Sequence, residues 1–134
     1  RPYKNFQEAI MGKKNLQPGE LKIMNIVWEK APIRASEIAN ILSAETGWSK
    51  NTVYTLTTRI VAKGFIRRTD PGFICEPAVS REEIQRRENR SLLDSLYQGS
   101  AKLLFARLLH DEEIPQEELS ELRGMLDQME QEEK

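Results

Sequence analysis

The chain has 134 residues, 39% hydrophobic and 31% charged, the make-up of a soluble protein of one domain or of one small domain with an appendage. Its apolar runs are only a few residues long, too short for membrane insertion, and the lack of a basic leader before an apolar stretch predicts a cytoplasmic protein. The net charge of −1 hides a split: residues 1–75 carry 12 Lys+Arg against 6 Asp+Glu and residues 76–134 carry 8 against 15, so a nucleic-acid surface belongs, if anywhere, to the basic first half.

Residues 1–16 show no hydrophobic period, and Met11 before Gly-Lys-Lys resembles an alternative start, so this stretch reads as a flexible arm or appended sequence. From Pro18 a helix is predicted, with Glu20 in its first turn and Leu21, Met24, Val27 and Trp28 on one face. Ala31-Pro32 ends it, because proline cannot continue a helix and biases the residue before it toward extended backbone. Ile33 and Arg34 can form a very short strand. Ser36 is the expected N-cap of a second helix through Ala44 that buries Ile38, Ile41 and Leu42, closed by Thr46-Gly47.

Ser49 can cap a third helix, with Val53, Leu56, Ile60 and Val61 inward and Lys63-Gly64 at its end. Helix, tight turn and helix make a helix-turn-helix. Phe65 to Thr69 and Phe73 to Pro77 are then two extended segments around Asp70-Pro71-Gly72, and a hairpin in that place is a wing. From Ser80, with Glu83 three residues on as a capping box, long charged helices follow. They carry Ile84, Leu92, Leu93, Leu96 and Tyr97, then, after Gly99-Ser100, Leu103, Leu104, Phe105, Leu108 and Leu109. Pro115 opens a final helix with Leu119, Leu122, Leu126 and Met129 at the a/d spacing of a seam between helices. The expected fold class is therefore mainly α with a small β-hairpin wing: residues 17–78 as a winged helix-turn-helix domain, residues 79–134 as a helical dimerisation domain.

Chemistry concentrates on the third helix. At about 100° per residue, Val53, Leu56 and Ile60 fall within about 60° of arc, and Asn51, Thr55, Thr58 and Ala62 lie opposite. Thr52 and Arg59 flank that face on one side and Tyr54 on the other. Amide, hydroxyl, methyl and guanidinium groups can meet base edges and phosphates, and the small side chains let a helix enter a groove. An ordinary solvated face carries Glu at such positions, whereas Lys50 to Gly64 contains no acidic residue. The helix N-terminus and Lys50 favour a phosphate oxygen. Trp48 reads as core or staple. Alternation along the first wing strand sends Arg67 and Arg68 to opposite faces, so at least one is expected at backbone phosphate.

The run Trp48-Ser49-Lys50-Asn51-Thr52-Val53-Tyr54-Thr55-Leu56, continued by Thr58-Arg59-Ile60-Val61-Ala62-Lys63-Gly64 and preceded by Leu21 to Trp28, resembles the penicillinase-repressor (BlaI/MecI/CopY) family over roughly Leu16 to Met129. The resemblance implies a winged-helix domain and a helical dimerisation domain that bind pseudo-palindromic operator DNA and repress genes of antibiotic resistance or copper handling. It implies that Lys50, Asn51, Thr52, Tyr54, Thr55 and Arg59 contact DNA. Copper sensing through the family's cysteine-rich C-terminal motif is not expected, since no cysteine follows Cys75. In the β-lactam branch, a membrane-bound sensor protease pathway releases the repressor by a cut at an Asn-Phe bond, and here Arg107-Leu108 stands at that place. Residues Ala106 to Leu108 can be a protease recognition site or simply packed helix.

One recognition helix reads only a few base pairs, so specificity calls for two. The cluster Leu103, Leu104, Phe105, Leu108 and Leu109, with the seam Leu119, Leu122, Leu126 and Met129, is the expected two-fold interface of a homodimer. No enzyme is expected, because His110 has no nucleophile pattern beside it and neither a Gly-rich phosphate loop nor a paired-carboxylate site occurs. Cys75 alone cannot form an internal disulfide, and one cysteine with one histidine cannot supply the usual zinc spacings, so no metal or cofactor is expected. The alternatives are a winged helix used as a protein-interaction or architectural module, and a ligand-sensing repressor.

Overall fold

A computed structural model of the protein describes residues 15–133. They form two compact units, one reaching to Gln85 and one beginning at Arg86. The first contains α1 (Pro18–Lys30), β1 (Ile33–Arg34), α2 (Ala35–Thr46), α3 (Lys50–Ala62), β2 (Ile66–Thr69) and β3 (Ile74–Pro77), and ends within α4 (Arg81–Leu96). The strands make one antiparallel sheet in the order β1-β3-β2, with Ile33 opposite Cys75 and Ile66 opposite Pro77. A helix-turn-helix followed by a hairpin wing is thus present as the sequence predicts, and Ile33 and Arg34 do form the third strand.

The core is built from all three helices and the sheet: Ile23, Met24, Val27, Ile38, Leu42, Val53, Ile60 and Cys75 are fully or almost fully buried. Around them pack Leu16, Ile33, Phe65, Ile66 and Ile84. The expected arm over 1–16 lies outside the described residues except for Asn15 and Leu16, and Leu16 belongs to this core. In α1 the buried set is wider than the predicted stripe, taking in Ile23 and Ile26 while Leu21 and Trp28 sit at its margin. The reason is that α1 touches α2, α3 and β3 at once, and a helix covered on several sides buries more than one apolar stripe.

Local signals set most element ends. The Ser49 hydroxyl accepts the Thr52 N–H at 3.1 Å, Gly47 ends α2 at φ +78°, and the Ser80 hydroxyl accepts the Glu83 N–H at 3.0 Å. The start of α2 differs from expectation. Its N-cap is Arg34, not Ser36, and no side chain caps it. The Ala35 N–H, at the first helical position, donates to the carbonyl oxygen of Phe73 at 2.9 Å, so the segment after the wing turn satisfies one of the free donors of this helix start and fixes it one residue before Ser36.

The buried polar residues of this unit are Glu20 and Thr57. The Thr57 hydroxyl donates to the Val53 carbonyl at 2.7 Å, within its own helix. Glu20 accepts the Gln17 N–H at 2.8 Å and, on the same Oε1, the Lys63 ammonium at 2.7 Å. Lys63 also donates to the Asn15 carbonyl at 3.0 Å, so one cation ties the end of α3 to the start of α1. Lys63→Met would strand a buried carboxylate, and the expected loss in a urea titration followed by Trp28 and Trp48 fluorescence is about 3 kcal/mol. A loss below about 1 kcal/mol would show the pair to be dispensable.

The second unit contains the rest of α4, then α5 (Ala101–Asp111) and α6 (Gln116–Glu132). Gln98 and Gly99, both at positive φ, break the chain between α4 and α5. Ser100 caps α5 by accepting the Leu103 N–H at 3.2 Å, and Pro115 stands at the N-cap of α6.

Candidate nucleic-acid interface

Helix α3 is held by its inward residues Val53, Thr57 and Ile60 against α1 and α2. Its outer side carries Lys50, Asn51, Thr52, Thr55, Thr58, Arg59 and Ala62, all exposed. Asn51, Thr55 and Arg59 follow one another at spacings of four, which places them in one row along the helix. With Thr52 and Leu56 they line a shallow open depression. The N-terminal turn is capped by a neutral serine, so the dipole and Lys50 keep that end electropositive.

The turn into α3 is braced from beneath. The Ser43 hydroxyl donates to the Trp48 carbonyl at 2.7 Å, and the Trp48 ring covers the start of α1. A Cβ added at Gly19 would meet Cη2 of Trp48 at 3.3 Å. Trp48 is therefore a brace for the helix-turn-helix, in keeping with its reading as core or staple, and not a surface on which a base could stack.

The wing positions its two arginines differently. Pairing sets Arg67 opposite Glu76 and Arg68 opposite Cys75, and successive strand residues face opposite ways. The Arg68 guanidinium lies 3.6 Å from the ring centroid of Phe73, and its Nε donates to Asp70 Oδ1 and Oδ2 at 3.2 and 3.0 Å. Tyr54 of α3 is half-buried, its ring 6.4 Å from that of Phe73. Asp70, Phe73 and Arg34, whose Nη1 lies 3.2 Å from where a Cβ of Gly72 would stand, were not singled out as functional residues in the sequence. The Asp-Pro-Gly turn is the sequence signal nearest to Asp70 and Phe73, and Arg34 comes beside it only through the pairing of β1 with β3.

In the second unit, Leu103, Phe105, Leu108, Leu109, Leu126 and Met129 are exposed, and Leu104, Leu119 and Leu122 are half-buried. Phe105, Leu109, Leu122, Leu126 and Met129 line one apolar groove with Met125. Arg107 and Leu108 lie inside α5, both exposed, with Arg107 3.8 Å from Asp111. His110 pairs with the adjacent Asp111 at 2.9 Å at the end of the same helix.

Burial pushes the Cys75 thiol up to about 11, outweighing the opposite pull of Arg68, so at neutral pH it stays protonated and unreactive. Among the described residues no group of three or more His, Cys, Asp or Glu is placed to hold a metal ion, and no helix is long and apolar enough to cross a membrane.

The penicillinase repressor family profile matches residues 16–128. The chain is 29% identical over 113 residues to the methicillin resistance regulatory protein MecI of Staphylococcus aureus strain N315, covering 83% of this chain and 92% of that one. It is 24% identical over 115 residues to the penicillinase repressor of Bacillus licheniformis, covering 84% and 90%, and 29% identical over 109 residues to that of Staphylococcus aureus, covering 80% and 86%. A match that starts at the buried Leu16 and runs through the winged helix and most of α6 takes in both units, and the chain belongs to the penicillinase repressor family of transcriptional regulators.

Proposed function

We propose that the protein is a cytoplasmic transcriptional repressor that binds a pseudo-palindromic operator as a homodimer and controls genes of β-lactam resistance or a related stress operon. The observation that carries the reading is the outer face of α3. Asn51, Thr52, Thr55, Thr58 and Arg59 are exposed on a helix with no acidic residue from Lys50 to Gly64. These side chains meet base edges in the major groove, Lys50 and the helix N-terminus take a phosphate, and Arg67 takes another from the wing. The relatives named as regulators of methicillin resistance and as penicillinase repressors support the class of genes.

The second unit supplies the dimer. None of its described residues, from Arg86 to Glu133, is buried in the single chain, although large apolar side chains recur along both of its complete helices. Two complete helices without a buried residue need a partner to cover them, and a second copy does so isologously. Two wings and two recognition helices then act together, and the bound dimer excludes polymerase from the promoter. Release through a sensor protease pathway would act on this unit. A cut between Arg107 and Leu108 separates Phe105 from Leu109 and α6, which line the groove with it.

The test is selection of bound sequences from random duplex DNA with the full chain at near-physiological salt. The expected product is an inverted repeat whose half-sites stand about one DNA turn, roughly 34 Å, or a multiple of it apart. Salt-sensitive binding to every duplex without enrichment would overturn the reading in favour of an architectural or protein-interaction module.

A further inference from the structure

We propose that Arg68 is not a phosphate ligand but a positioning residue, and that with Asp70, Phe73 and Tyr54 it forms a lock that fixes the wing against the recognition helix and so sets operator specificity. The inference rests on the operator-binding reading above.

Five observations converge on Phe73. Its backbone has φ +48°, a conformation that a bulky non-glycine residue holds only where its surroundings over-determine it. Here its N–H donates to Asp70 Oδ1 at 3.2 Å, and its carbonyl oxygen accepts the Ala35 N–H at 2.9 Å. One side of its surroundings is the Arg68 guanidinium and another is Tyr54 of α3. The wing turn is thereby tied to the first turn of α2 through backbone and to the recognition helix through rings.

The same geometry argues against Arg68 as a backbone contact. Its cation is met by a carboxylate two residues away, and its guanidinium rests on an aromatic face, an arrangement that holds the group where it is. A phosphate arriving there meets a compensated pair, whereas Arg67 lies on the other face of the strand, across from Glu76, and makes no ion pair among the described residues. Asp70 is the informative member. If Arg68 bound phosphate, Asp70 would compete with DNA, and removing its charge would tighten binding to every duplex. If the four residues are a lock, removing that charge loosens the wing and weakens operator binding alone.

The experiment measures affinity of the full chain for the selected inverted repeat and for a random duplex of equal length, as a function of salt, well below the unfolding midpoint of each variant. Three variants are compared with the parent: Asp70→Asn, Arg68→Ala and Phe73→Leu, the last keeping apolar volume while removing the ring. For all three the expected result is a loss of roughly tenfold or more on the operator, random-duplex affinity within about twofold of the parent, and an unchanged slope of log K against log salt. Tighter binding of Asp70→Asn to both duplexes would overturn the lock. So would an Arg68→Ala slope shallower by about 0.9 per protomer, the signature of a lost phosphate contact. Failure of the parent itself to prefer the repeat would instead remove the operator reading beneath it.

Discussion

Thr55→Glu is expected to lower operator affinity roughly 100- to several-thousand-fold, about 3 to 5 kcal/mol over the two half-sites, with folding stability preserved. Thr55 is exposed at the middle of the row Asn51, Thr55 and Arg59, so a carboxylate there enters the groove between two phosphate strands. It also stands one turn before Arg59, where an i,i+4 pair would draw the guanidinium away from DNA. Glutamate is a better helix former than threonine, and the site touches no core, so the unfolding midpoint should not fall. Thr55→Ser, which keeps the hydroxyl, is expected within about tenfold of the parent. Fluorescence anisotropy on the selected duplex separates the cases. A Thr55→Glu variant with full operator affinity would mean that α3 is not the reading element.

Leu126→Asp is expected to raise the dimer dissociation constant by three orders of magnitude or more. Leu126 is 60% exposed in the single chain and lines the groove with Phe105, Leu109, Leu122 and Met129. In the proposed isologous interface each substitution acts twice, so a cost of about 2 to 4 kcal/mol per site becomes about 4 to 8 per dimer. Sedimentation should show the parent as a dimer and the variant as a monomer at micromolar concentration. The variant's operator binding should fall to that of one half-site, because the two recognition helices no longer share one binding event. The winged helix has its own core in the other unit, so its tryptophan fluorescence should be unchanged. A monomeric parent would mean that something other than a second copy covers this face.

The legible part of this protein is the part written in short-range pattern. Apolar residues at helical spacing, Ser49 and Ser80 at helix starts, Gly47 and Gly64 at helix ends, and Asp-Pro-Gly between two extended segments each act within three or four residues of themselves. They were enough to place a helix-turn-helix with its wing. The outer face of α3 was legible for the same reason, since a helix fixes which side chains share a side once its inward residues are known.

Tertiary contact decided the rest. Glu20 was readable as a first-turn acid, but its burial follows from Lys63, 43 residues away. Ser36 has the right chemistry for an N-cap and yields the place to Arg34, because the Phe73 carbonyl already holds the Ala35 N–H. Arg67 and Arg68 are neighbours of one type whose surroundings differ only once β2 pairs with β3 and Asp70 and Phe73 come beside one of them. A residue's period and capping chemistry are properties of the chain on either side of it. The partner of a charge depends on which distant segment folding brings to it, and a burial pattern carries no record of that choice.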